Sequence, residues 1–130
     1  MKEILKNIPF FAELSGEDLQ AIIDKIQMQY FATDHVIFEK GDPGDIMFII
    51  KRGQVQVIRD NTILAVLTDG QFFGEMALVS DEPRNATIKT VTEVEVLTLD
   101  KNDFKHLLET NPNIASIVSY EVVKRSNAIS

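Results

Sequence analysis

Two residues in the stretch FFGEMALVSDEPRNATIKT, Phe72 to Thr90, could do chemistry. Glu75 follows a glycine, and Arg84 follows a proline nine residues further on. Helix or strand periodicity requires neither arrangement. A carboxylate only accepts hydrogen bonds and so suits hydroxyl donors. A guanidinium is a planar fork that matches phosphate oxygens and keeps its charge under burial. Gly74 lets backbone approach a ligand closely, and the start of a helical turn at Glu75-Met76-Ala77-Leu78 leaves N–H groups that attract an anion. Pro83 stiffens the approach to Arg84, and the small Ala86 lets nearby backbone reach a phosphate. A phosphate flanked by a sugar hydroxyl would satisfy all of these groups together. The same two residues also fit a solvated surface pair, a contact that contributes under about 1 kcal/mol.

The elements around this stretch must position it. Residues 2–7 predict a short helix, broken at Pro9-Phe10-Phe11. Ser15 opens a capping pattern, S-G-E-D, with Asp18 at the third helical position. Leu14, Leu19, Ile22, Ile23 and Ile26 follow at helical spacing and predict a helix over 16–27. From Met28 the pattern changes to strands. Tyr30, Phe31, Val36, Ile37 and Phe38 favour strands. GDPGD, Gly41–Asp45, is a turn, and Ile46 to Ile50 reads as a buried strand. QVQVI, Gln54–Ile58, alternates, Asp60-Asn61 reads as a hairpin turn, and Ile63 to Leu67 returns. After Asp69-Gly70, further strands are expected over 86–91 and 94–99. Asp100 is then an N-cap for a helix carrying Phe104, Leu107 and Leu108. Asn111-Pro112 opens a last helix with Ile114, Ile117, Val118 and Val122, running to about Arg125. Seven or eight short strands with helices at both ends argue for an antiparallel barrel or jelly roll with flanking helices.

Composition bounds the function. The chain has 130 residues, about one domain, of which 45% are hydrophobic and 25% charged. Its net charge of −7 repels a polyanion, so nucleic-acid binding by this domain alone is not expected. The thirteen Lys and Arg are scattered, so an anionic ligand must be caught locally. There is no cysteine, hence no disulfide or thiolate metal site. No run of 18 apolar residues suggests a membrane span, and MKEILKNIPFF lacks the features of a signal peptide. A cytoplasmic location is expected.

FGEMAL followed by PRNAT resembles the phosphate-binding cassette of cyclic nucleotide-binding domains, the modules of protein kinase A regulatory subunits, the bacterial catabolite activator protein and cyclic nucleotide-gated channels. A second motif, GDPGDIMFIIKRGQVQV from Gly41 to Val57, resembles the glycine-punctuated strands of the same family. The resemblance covers about residues 4 to 125. It implies a mainly β fold, an antiparallel β-roll over 28–99. N-terminal helices over 1–27, a short cassette helix and two C-terminal helices over 100–126 complete one domain, 1–130. It also implies that Glu75 hydrogen-bonds the ribose 2′-hydroxyl of cAMP or cGMP and that Arg84 pairs with the cyclic phosphate. Backbone around Gly74, Met76, Ala77, Asn85 and Ala86 completes the cradle, and Asp45 orients Arg84. The last helix closes over the base, with Tyr120 or Lys124 as a possible lid. No catalysis and no cofactor are implied. Asn85 departs from the alanine, serine or threonine common there, and it leaves adenine against guanine open with a lean to cAMP. No helix-turn-helix, kinase motif or channel segment is legible, so the chain reads as either a stand-alone sensor or one domain of a longer protein, with an effector domain or partner protein expected.

Other readings are weaker. A cupin-like metal oxygenase would want two histidines and a carboxylate converging on iron. His35 and His106 fall on different elements and read as surface or packing residues. A β-roll that has lost its ligand and acts only in protein interaction would not need Glu75 and Arg84. Met28, Met47 and Met76 are expected to fill the core. Phe10, Phe11, Phe72 and Phe73 are expected to anchor the flanking helices rather than to stack on a ligand.

Overall fold

The computed structural model describes residues 1–8, 11–12, 14–78, 80–113 and 116. Two short helices come first, α1 (Lys2–Lys6) and α2 (Gly16–Ile23). The Ser15 hydroxyl accepts from the Asp18 amide at 3.1 Å, the cap expected from S-G-E-D. Helix α2 ends four residues earlier than its apolar spacing predicts. The cause is tertiary, because Gln27 already pairs with Thr98 and the sheet takes up the chain.

Among the described residues eight strands follow: β1 (Gln27–Phe31), β2 (Val36–Phe38), β3 (Ile46–Arg52), β4 (Val55–Arg59), β5 (Thr62–Leu67), β6 (Phe72–Phe73), β7 (Thr87–Thr90) and β8 (Val94–Asp100). All pairings are antiparallel, in two four-stranded sheets ordered β1-β8-β3-β6 and β2-β7-β4-β5. Asp60 and Asn61 join β4 to β5 with φ of 53° and 65°. Both are left-handed, as a two-residue type I′ turn demands, and Asp and Asn tolerate that region. One 3₁₀ turn, Glu75–Leu78, interrupts the strands, and α3 (Lys101–Thr110) follows β8. Pro112, Asn113 and Ser116 are helical, but Ile114, Ala115 and 117–130, including Tyr120 and Lys124, lie outside the described residues.

Strand periodicity divides the apolar residues between two cores. On β3, Met47 and Ile49 point to the helices, while Phe48 and Ile50 point into the roll. On β8, Leu97 and Leu99 join the helical side, and Val94 and Val96 the interior. The first sheet is therefore buried on both faces in its centre, which is why β3 begins with the unbroken run IMFII. The second sheet buries one face, and QVQVI alternates accordingly. Phe104 and Leu107 of α3 complete the helical core with Leu5, Ile8 and Phe11.

The expectations for Met and Phe need correction. Met47 is fully buried, but Met28 is 56% exposed because β1 is an edge strand. Met76 is half-buried and lines a cavity rather than the core. Phe11 and Phe72 pack on the helical side as expected. Phe73 faces the other way and stacks on Phe48 at 5.0 Å, since consecutive residues of β6 face opposite sides. Phe10 lies outside the described residues.

Candidate functional site

The chain leaves β6 through Gly74, whose φ of +74° is left-handed. That conformation is cheap for glycine alone. It turns the backbone into the Glu75–Leu78 turn, where the Ala77 amide donates to the Gly74 carbonyl at 3.2 Å. The Ser80 amide then donates to the Met76 carbonyl at 2.9 Å. Leu78 is buried with the helices, so the turn is anchored on their side.

Arg84 is held twice. Its amide donates to the Asp42 carbonyl and its carbonyl accepts from the Gly41 amide, both at 2.8 Å. The GDPGD loop thus clamps the far end of the cassette. The side chain then crosses Gly44 so closely that a Cβ there would lie 2.3 Å from Nε. Nη2 donates to the Ile46 carbonyl at 2.8 Å and Nη1 to the Gly74 carbonyl at 3.3 Å. The guanidinium carbon sits 4.1 Å from the centroid of the Phe38 ring, a cation–π contact. Nε is buried with no hydrogen-bond partner, and among the described residues no carboxylate forms an ion pair with Arg84. Burial lowers the Arg84 pKa, and the charges of Asp45, Asp42 and Glu75 oppose that fall. An arginine starts so high that it stays protonated.

A cavity of about 350 Å³ opens beside this guanidinium, within the size range of small-molecule sites. Phe38, Val57, Phe73 and Ile88 form an apolar floor, and Arg84, Asn85, Ala86, Gly74, Met76 and Ala77 form the wall. Six of the seven residues expected to bind ligand therefore line one space. Glu75 does not line it. Its side chain is 1% exposed behind the wall, near enough for its charge to act on Arg84. Asp45, expected to orient Arg84, acts on it through charge only, and the neighbouring Ile46 carbonyl makes the bond. The Asn85 carbonyl accepts from Arg59 Nε at 2.9 Å.

Sequence reasoning missed Gly44, Phe38 and the cavity-lining Ser80 and Glu82. Gly44 carried a signal. A turn needs Gly41, with φ +94°, but Gly44 has no positive φ and is small only for the sake of Arg84. His35, in the loop before β2, and His106, on α3, are both exposed and apart, and His35 stacks on Phe31 at 5.3 Å. Among the described residues no three side chains are grouped to hold a metal, and no helix is long and apolar enough to cross a membrane.

Comparison with known proteins agrees with this geometry. The chain is 36% identical over 126 residues to the cyclic nucleotide-gated potassium channel mll3241 of Mesorhizobium japonicum, covering 97% of this chain and 35% of the channel. It is 35% identical over 112 residues to the cGMP-dependent protein kinase, isozyme 1, of Drosophila melanogaster, covering 80% of this chain and 15% of the kinase. The chain thus spans about a third or less of the length of these relatives. Among solved structures, cAMP bound PfPKA-R (141–441) superposes with a TM-score of 0.79 at 29% identity, over 96% of this chain and 43% of that one. The family model described as cyclic nucleotide-binding domain matches residues 28–111, well over half of the sequence. That span takes in both sheets, the clamp and the cassette, and the chain belongs to the cyclic nucleotide-binding domain family.

Proposed function

We propose that this chain is a non-catalytic regulatory module that takes one cyclic nucleotide, preferentially cAMP, in the cavity beside Arg84. The observation that carries this reading is the state of Arg84. A half-buried cation with no ion pair and one N–H without an acceptor among the described residues is costly unless an anion joins it. A cyclic phosphate supplies the charge and acceptors at that place. The amides around Gly74, Ala77, Asn85 and Ala86 share the wall and would complete its shell. Glu75 receives the ribose 2′-hydroxyl, once a small movement of the turn uncovers its carboxylate. The apolar floor suits the faces of sugar and base.

The preference for cAMP rests on the superposition with a cAMP-bound structure and on the absence of a hydroxyl side chain at Asn85. The similarity to a cGMP-dependent kinase, with the amide of Asn85 able to donate or accept, supports cGMP as the second reading. Output would run through the C-terminal helix, whose stripe Ile114, Ile117, Val118 and Val122 can dock on the roll, to a linked effector domain or partner protein. Titration calorimetry with each nucleotide tests the reading. One site per chain, tighter for cAMP, is expected. No heat and no thermal shift with either nucleotide at millimolar concentration would overturn it.

A further inference from the structure

We infer that Lys101, the first residue of α3, is a positioning residue that ties both walls of the nucleotide cavity to that helix. The inference deepens the proposed binding function and rests on it. The Lys101 ammonium donates to the Ser80 carbonyl at 3.0 Å, just after the 3₁₀ turn, and also pairs with Asp81. The Lys101 amide donates to the Asp45 carbonyl at 2.8 Å. Asp45 lies between Gly44, which Arg84 crosses, and Ile46, whose carbonyl holds Nη2. One residue therefore grips the cassette on one side and the Arg84 cradle on the other. Lys101 does not itself line the cavity, though its partner Ser80 does, and sequence reasoning did not single it out.

The two partners of the ammonium are unequal. The Lys101 side chain is 12% exposed, whereas that of Asp81 is 97% exposed. An ion pair so open to water contributes little. The bond to Ser80 is the sheltered one, and it is made to a main-chain atom whose position the 3₁₀ turn shares. Ser80 also donates its amide to Met76, so holding the Ser80 carbonyl holds the turn that carries Glu75 and Ala77. A ligand that meets a cassette already held in place loses less affinity to ordering it. The same link passes displacement of the cassette to α3, since the helix starts at the residue that makes it.

The test compares Lys101→Met, which keeps the apolar stem and removes the donor, with Lys101→Arg, which keeps a donor, and with Asp81→Asn. A fluorescent cAMP analogue reports affinity and off-rate, and hydrogen exchange of the ligand-free chain reports order. Lys101→Met should weaken binding roughly three- to ten-fold, mainly through a faster off-rate, as loss of one hydrogen bond implies. It should speed exchange over 74–82 while β3 and β8 keep parental protection. Lys101→Arg should restore most of both, and Asp81→Asn should stay within about two-fold of the parent, as the exposed pair implies. If Lys101→Met unfolds, Lys101→Gln, too short to reach Ser80, should give the same pattern. Parental affinity in the methionine variant, tighter binding, or exchange rising equally across β3 and β8 would overturn the inference. A parent chain that binds neither nucleotide overturns the binding reading instead, and the exchange arm then decides the role of Lys101.

Discussion

Replacing Gly44 by alanine should abolish strong nucleotide binding without unfolding the chain. The added Cβ would lie 2.3 Å from Nε, 2.5 Å from Cζ and 2.8 Å from Cδ of Arg84. Such contacts become ordinary at 3.4 Å, so the guanidinium must retreat by at least 1.1 Å, the difference from the shortest contact. A retreat of that size takes Nη2 out of hydrogen-bond range of the Ile46 carbonyl, now 2.8 Å away, if it runs along that bond. It also misplaces the fork relative to a phosphate. Charge-assisted contacts of this kind contribute about 1.5–3 kcal/mol, so affinity should fall roughly ten- to 150-fold. The fold should tolerate the change. Gly44 has no positive φ, and alanine there restricts the unfolded chain, a gain of about 0.4–1 kcal/mol that offsets the lost carbonyl bonds. Gly70→Ala is the mirror-image control. Nothing lies within 4 Å of its Cβ, but its φ is +82°, so it should lose on the order of 1–3 kcal/mol of stability and keep its affinity. Calorimetric titration and urea melts of both variants separate the two effects. Parental affinity in Gly44→Ala, or equal loss of affinity and stability, would refute the placement of Arg84 as the phosphate contact.

Arg84→Ala should reduce affinity by roughly ten- to a hundred-fold or more with the fold kept, and Arg84→Lys should recover only part of it, because lysine lacks the fork. Equal binding by the alanine variant would remove Arg84 from the site. Glu75→Ala should weaken cAMP but hardly affect its 2′-deoxy analogue, since both changes delete one hydrogen bond; additive losses in that cycle would take Glu75 off the ribose. Truncation after Pro112 should weaken binding, and hydrogen exchange over 114–123 should slow when ligand is added. Protection that rises at the cassette alone would leave the last helix out of the output.

The local grammar of this chain made the secondary structure legible. Asp60-Asn61 and the Ser15 cap are self-contained signals, and each produces the expected geometry at its own position. The unbroken IMFII run marked a central strand, although which face each residue takes depends on the second core across the sheet. The misreadings share one cause. Helix α2 stops where β8 claims its continuation, 71 residues away in the Gln27–Thr98 pairing. Met28 is exposed because of strand order, and strand order is not local. In the site, Glu75 and Arg84 stood out because their residue types were unneeded for packing. Gly44 and Phe38 did not, because a glycine in a turn and a phenylalanine in a strand already have an ordinary reason to be there.

The central sheet is a partition as well as a layer. The buried residues on its helical side and those inside the roll form two disjoint sets. Each set closes its own core on one face of that sheet, so hydrogen exchange should find the helical layer opening separately from the roll. Substitutions at Leu5, Leu19 or Phe104 should then disturb the packing of the helical layer more than the cavity floor. Substitutions at Val57 or Ile88 do the reverse. Leu78 joins the two sides by packing, as Lys101 does by hydrogen bonds. It belongs to the cavity-side turn by sequence and to the helical core by packing. A change of size at that single position should make the two units disagree about where the turn sits, so drift there is constrained from both sides of the wall.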